Sequence, residues 1–159
     1  MTYTCKIPSP VGVITASNDG ESITGLWLEE QKYFGAGLPS DIAENGSLPV
    51  FDSLRKWLNI YFAGKEPDFM PPLAPEGSVF RQNVWDILLQ IPYGKTVTYG
   101  EIAKRLGGAA RAVGGAVGHN PISILIPCHR VIGGSGNLTG YAGGVDKKIQ
   151  LLKLEGFII

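Results

Sequence analysis

Over its first third the chain alternates polar and apolar positions with the period of two that strands require. The runs YTCKI (3–7), GVITAS (12–17) and SITGLWL (22–28) are rich in β-branched and aromatic residues. Pro10–Val11–Gly12 separates the first two runs, and Asn18–Asp19–Gly20 between the second and third predicts a hairpin. Residues 35–49, rich in Gly, Pro and Ser, read as a loop. Phe51, Leu54, Trp57, Leu58, Tyr61 and Phe62 then recur at helical spacing until Gly64 stops the helix. Pro67 to Gly77 carries four prolines and reads as a linker, placing a domain boundary between residues 1–76 and 77–159.

The period changes beyond the linker. Ser78 is the expected N-cap of a helix with Val79, Phe80, Val84, Trp85, Ile87 and Leu88 on a broad apolar face, ending before Pro92–Tyr93–Gly94. Thr98-x-x-Glu101 has the form of a capping box and opens a short helix, Tyr99 to Leu106. Gly107–Gly108 break it, and Ala109 to Gly118 forms a second helix, so the pair predicts a helix-turn-helix. A last helix, Val145 to Glu155, is stopped by Gly156. The whole reads as α+β, with a small α/β domain followed by a mainly helical one.

The second helix of that pair, AARAVGGAVG, runs against propensity. Each interior glycine costs roughly 1 kcal/mol relative to alanine. Glycine and alanine leave a nearly bare face from which Arg111 projects. Two readings stand: close packing against another helix, or a surface cleared so that an outside backbone can approach.

Charge sharpens the division. The 159 residues carry no net charge, yet residues 1–79 hold five Lys/Arg against ten Asp/Glu, whereas residues 80–159 hold nine against four. The second half is therefore the one suited to an anionic partner. No apolar run approaches the roughly 20 residues of a membrane span, and polar TYTCK after Met1 does not resemble a signal peptide, so an intracellular protein is expected. Two cysteines and two histidines, without CxxC or HxxxH spacing, give no zinc motif, and no metal or other cofactor is expected.

One stretch places chemistry inside an apolar run: ILIPCHRVIGG, residues 124–134. Cys128 is either a small buried hydrophobe or a nucleophile. A free thiol, with its pKa near ~8.5, is mostly protonated at neutral pH and needs a base or a nearby cation to react. His129 can be the base and Arg130 adds positive charge. Glu155 is a candidate acceptor to orient the histidine. Cys5 has neither histidine nor arginine beside it.

Pro127-Cys128-His129-Arg130-Val131, with Arg111-Ala-Val-Gly-Gly and Asn120-Pro121 before it, closely resembles the O6-alkylguanine-DNA alkyltransferase family. The resemblance runs from about Val79 to Gly156 and includes Val84-Trp85, Ile91-Pro92-Tyr93-Gly94, Thr98 to Ala103, Gly140-Tyr141 and Leu151-Leu152…Glu155-Gly156. It implies a ribonuclease-H-like first domain and an alkyl-acceptor domain that binds double-stranded DNA containing O6-alkylguanine. Cys128 would take the alkyl group irreversibly, once per molecule, in a monomer of the cytoplasm or, in a eukaryote, the nucleus. The resemblance makes His129 the base, acting through a water, and Glu155 its orienting partner. Tyr99 becomes the proton donor to the guanine ring and Asn120 the brace of the cysteine segment. Val131, Tyr141 and Ala142 would line the guanine pocket. The second helix would enter the minor groove, with Ala109, Ala112, Gly114 and Gly115 permitting close approach and Arg111 filling the space of a flipped base.

Two features depart from the family pattern. The turn Leu106–Ala109 is about two residues shorter than is common, and Ala142 stands where some relatives carry serine. Rival readings are a damage-binding relative without transfer, a Cys-His-Glu thiol hydrolase, and a transcriptional regulator. The first lacks the motif cysteine, the second turns over repeatedly, and the third needs base-reading side chains that the bare helix does not offer.

Overall fold

The computed structural model describes residues 1–138 and 141–157. By its contacts the chain divides into two compact units, Met1–Glu76 with Pro121–Ser123, and Gly77–Asn120 with the residues from Ile124 onward.

The first unit is built on a four-stranded sheet in the order β3-β2-β1-β4. The three alternating runs become β1 (Thr2–Ile7), β2 (Ile14–Asn18) and β3 (Ile23–Leu28), all antiparallel neighbours. The Asn18–Gly20 hairpin is present, tied by Asn18 Oδ1 accepting from Gly20 N at 2.7 Å and Asp19 Oδ1 from Ser22 N at 2.8 Å. Register places Cys5, Ala16 and Leu26 in one cross-strand row and Ile7, Ile14 and Leu28 in the next, and all six are buried. The helix α1 (Pro49–Phe62) contributes Phe51, Leu54, Leu58 and Tyr61 to the core of this unit.

The loop expected over residues 35–49 contains an element that the pattern did not show. Ile42–Glu44 forms β4, parallel to β1. Three residues on an edge carry too short a pattern to be recognised, and their order comes from the ladder. At the opposite edge, β3 is covered by backbone from distant parts of the chain. Ile23 N donates to Pro72 O and Leu26 N to Pro121 O, both at 2.8 Å. Ser123 Oγ donates to Gln31 Oε1 at 2.9 Å, fixing the returning segment. An open strand edge is thereby closed.

The second unit is helical: α2 (Val79–Leu89), α3 (Tyr99–Leu106), α4 (Ala110–Gly118) and α5 (Val145–Leu154). Ser78 caps α2 through Arg81 N, and Thr98 caps α3 through Glu101 N. Gly107 ends α3 with φ 69°, the left-handed conformation that glycine adopts without strain. Val84, Trp85, Ile87 and Leu88 of α2 are buried, and the Trp85 indole N–H donates to Ala116 O of α4 at 2.9 Å. Val79 and Phe80 depart from the expected face, being 78% and 36% exposed. They occupy the first turn, ahead of the packed part of the helix.

A two-residue parallel ladder joins β5 (Val97–Thr98) to β6 (Val131–Ile132). It is too short to be read from sequence. Its effect is to bring the start of α3, with Tyr99, beside the segment that carries Cys128.

Candidate active site

The cysteine segment is buried and tied down by hydrogen bonds. Residues 122–131 are buried throughout. Ile124 has φ 71°, a left-handed conformation that strains a β-branched residue, at the point where the chain rejoins the second unit. A single 3₁₀ turn, Cys128–Arg130, follows, closed by Arg130 N donating to Pro127 O at 3.0 Å. Asn120 Nδ2 donates to Ile126 O at 2.8 Å, and the Asn120 side chain also hydrogen-bonds the Cys128 sulfur.

Cys128 is 3% exposed. Burial pushes its thiol up to about 11, against smaller opposing effects from the Asn120 hydrogen bond and the Lys148 charge. The resting group is therefore a thiol, and reaction requires a proton acceptor.

The next residue carries an imidazole. His129 is fully buried, and its Nε2 lies 2.6 Å from Glu155 Oε2. Glu155, the C-cap of α5, also accepts from Arg130 Nε at 2.8 Å, Arg130 Nη2 at 3.1 Å and Gly94 N at 3.0 Å. Burial alone would raise the Glu155 carboxyl, but hydrogen bonds and charge from His129 and Arg130 outweigh it and hold it at about 2. Burial, first, and then the Arg130 and Lys148 charges push the His129 imidazole below its ordinary value, opposed by Glu155. The consistent state is an ionised Glu155 accepting from the Nε2–H of a neutral His129. This tautomer leaves Nδ1 as the basic nitrogen of the ring.

Arg130 is thus not the cation that faces the thiol, contrary to the expectation from its place in the sequence. Its guanidinium is committed to Glu155, and the nearby charge that lowers Cys128 belongs to Lys148. Lys148 is fully buried on α5, and its ammonium donates to Val131 O. Burial brings it down to about 8. Its signal was legible: Lys148 stands three and four residues before Leu151 and Leu152, on the inward stripe where an apolar residue belongs.

Tyr99 is half-buried, and burial first, then the charge at Cys128, raises its phenol, so it stays a proton donor. Val131 is buried beside the 3₁₀ turn, and the Tyr141 ring meets the His129 ring edge-on with centroids 6.5 Å apart. Ala142 is partly exposed next to it. Gly140 lies outside the described residues.

Arg111, Ala109 and Ala112 form a different surface. All three are exposed on or at the start of α4, together with Gly115, while Val113, Ala116 and Val117 face inward. Among the described residues, a Cβ added at Gly114, Gly115 or Gly118 would meet nothing within 4 Å beyond the helix's own backbone. Close packing within the chain therefore does not explain these glycines. The cleared face is open to an outside partner.

Among the described residues no group of three or more His, Cys, Asp or Glu is arranged to hold a metal ion, and no helix is long and apolar enough to cross a membrane.

Comparison with known proteins bears on both surfaces. Residues 79–157 match the DNA binding domain of 6-O-methylguanine DNA methyltransferase, and residues 2–75 match its ribonuclease-like domain. The chain belongs to this methyltransferase family. It is 49% identical over 157 residues to the methylated-DNA–protein-cysteine methyltransferase of Mycobacterium tuberculosis, covering 98% of this chain and 93% of the relative. The Haemophilus influenzae protein of the same name is 47% identical over 156 residues, covering 96% and 86%. The crystal structure of Mycobacterium tuberculosis OGT in complex with DNA superposes with a TM-score of 0.84 at 46% identity, covering 97% of this chain and 91% of that one. Family membership also fixes the α+β class, a ribonuclease-like sheet domain followed by a helical DNA-binding-type domain.

Proposed function

We propose that this protein repairs DNA by transferring the alkyl group from O6 of guanine to Cys128. The observation that carries the reading is the 2.6 Å contact between His129 Nε2 and an ionised Glu155, in a turn whose neighbouring residue is a buried thiol. His129 Nδ1, acting through a water, takes the thiol proton. The sulfur then attacks the O6-bound carbon, forming S–C as C–O breaks. Tyr99 gives the departing guanine ring its proton and is resupplied from His129. The products are an S-alkyl cysteine and ordinary guanine. The S–C bond of the thioether product is not readily hydrolysed, so on this reading each molecule reacts once.

A buried thiol cannot reach a stacked base, so the modified nucleotide must leave the duplex, at the expense of a few kcal/mol. The open Gly/Ala face of α4 supports minor-groove docking of the helix-turn-helix, with Arg111 occupying the vacated stack. Val131, Tyr141 and Ala142 would line the pocket for the extruded guanine, and Asn120 would brace the cysteine segment against it. On this reading residues 77–159 hold both DNA and alkyl group, and the protein works as a monomer wherever cellular DNA lies, cytoplasm or nucleus.

The test is incubation with an oligonucleotide containing O6-methylguanine, followed by intact mass and peptide mapping. One methyl group per molecule is expected, on Cys128. Methyl on Cys5, or product formation continuing past one equivalent, overturns the assignment.

A further inference from the structure

The turn Ile91–Gly94 takes no part in the chemistry above, yet it is wrapped around Arg130 and Glu155. Arg130 Nη1 donates to Ile91 O at 2.8 Å, and the guanidinium carbon lies 5.7 Å from the centre of the Tyr93 ring. Gly94 N–H donates to Glu155 Oε1. Gly94 has φ 76°, and a Cβ there would come within 3.0 Å of the Glu155 backbone oxygen. The left-handed φ and the close approach both favour glycine here.

We propose that Arg130, seated on this turn, is a positioning residue that keeps Glu155 a fixed anion, so that the proton taken from Cys128 rests on His129 and is not passed to Glu155. The inference rests on the alkyl-transfer reading. A carboxylate paired only with a histidine can share the histidine's proton. Here both carboxylate oxygens receive guanidinium N–H bonds, and one also receives the Gly94 N–H. A protonated Glu155 would turn an O–H toward those donors and leave a buried guanidinium without its counter-charge, which is strongly disfavoured. The bidentate geometry matters as much as the charge, because it fixes the plane of the carboxylate and therefore the direction of the bond to His129.

The proton balance follows. The thiol proton moves to His129, the alkyl group moves from oxygen to sulfur, and the proton held on the imidazole is returned, through Tyr99, to the departing guanine. His129 is faced by Glu155 and Lys148 from the last helix and its cap, by Arg130 from its own turn, and by the Tyr141 ring. Among these, burial comes first in keeping the imidazole neutral, with Arg130 and Lys148 adding to it.

The experiment follows the Glu155 carboxyl by NMR in protein carrying ¹³C-labelled glutamate, without DNA, beside the pH dependence of single-turnover transfer. Arg130→Met removes the charge, and Arg130→Lys keeps it while losing the planar fork. In Arg130→Met the Glu155 titration and the acid limb of the rate should both move to higher pH, by on the order of one unit. In Arg130→Lys both should stay near the parent values while the rate falls at least about tenfold. Unmoved titration in a folded Arg130→Met, or an equal shift in the Lys variant, overturns the proposal. If Arg130→Met does not fold, Arg130→Gln asks the same question and can still donate to Ile91 O. The titration needs no DNA, so a failure of alkyl transfer to Cys128 would register separately.

Discussion

Replacing Glu155 by glutamine removes one charge and almost no volume, and the structure makes the consequence large. The carboxylate accepts from His129, from Arg130 through two nitrogens, and from Gly94. An amide offers one accepting oxygen and turns an NH₂ group toward donors. Charge-assisted hydrogen bonds contribute about 1.5–3 kcal/mol each, and leaving a buried charge without its partner costs about 3–5 kcal/mol. The overlapping losses put the destabilisation of Glu155→Gln near 3–5 kcal/mol, equivalent to a fall of roughly 6–20 °C in Tm for a chain of this size. Transfer should slow by about 10²–10⁴, the usual range for losing an oriented general base. The two effects separate in a double variant. Adding Arg130→Met removes the stranded guanidinium and should recover much of the stability but none of the rate. The single-charge account also has a pH signature. Glu155 is depressed from 4.5 to about 2, so its contribution is present above 4.5 and lost as pH falls toward 2. The parent should lose stability over that window, and Glu155→Gln should lose much less there. Thermal melts, urea unfolding at pH 3 and 7, and quenched single-turnover transfer measure all of this. A destabilisation under 1 kcal/mol, or transfer within threefold of the parent, would refute the reasoning.

Gly114→Ala and Gly115→Ala should each stabilise the protein by up to about 1 kcal/mol, since an added Cβ meets nothing nearby, while weakening DNA binding. A lower Tm in either variant, or unchanged DNA affinity in both, would contradict the cleared-face reading. Arg111→Ala should impair reaction with duplex DNA much more than with free O6-alkylguanine base, with a salt slope reduced by at most about one unit; equal loss on both substrates would exclude the wedge role. Lys148→Met should raise stability at pH 7 by roughly 2 kcal/mol, because Lys148 is protonated there despite a pKa brought down to about 8. That gain should shrink as pH rises from 8 toward 10.5, where the parent amine is already neutral when folded; a lysine that helps hold the fold would give a loss instead.

The sequence determined what local physics can encode. Period-two alternation and the Asn-Asp-Gly turn gave β1 to β3, the caps at Ser78 and Thr98 gave the starts of α2 and α3, and the motif run gave the family. Each is a property of residues close together in the chain, where propensity and capping act without help. The tertiary structure decided whatever needs partners far apart in sequence. β4 and the β5–β6 ladder are two or three residues long and owe their existence to the strand beside them. Whether the glycines of α4 were packed or open depended on what lay across from them, and among the described residues nothing did. The charge assignments divided in the same way. Glu155 was legible as a partner for His129 because a histidine base needs an acceptor. By contrast, Arg130 was read as a cation for its neighbour in the chain, and it turned instead to Glu155, 25 residues away. Electrostatic interaction falls with distance through space and is sharpened by burial, and sequence adjacency measures neither. The charge near the thiol belongs to Lys148, on a helix stripe where an apolar residue was expected, and only folding brings that ammonium beside Cys128.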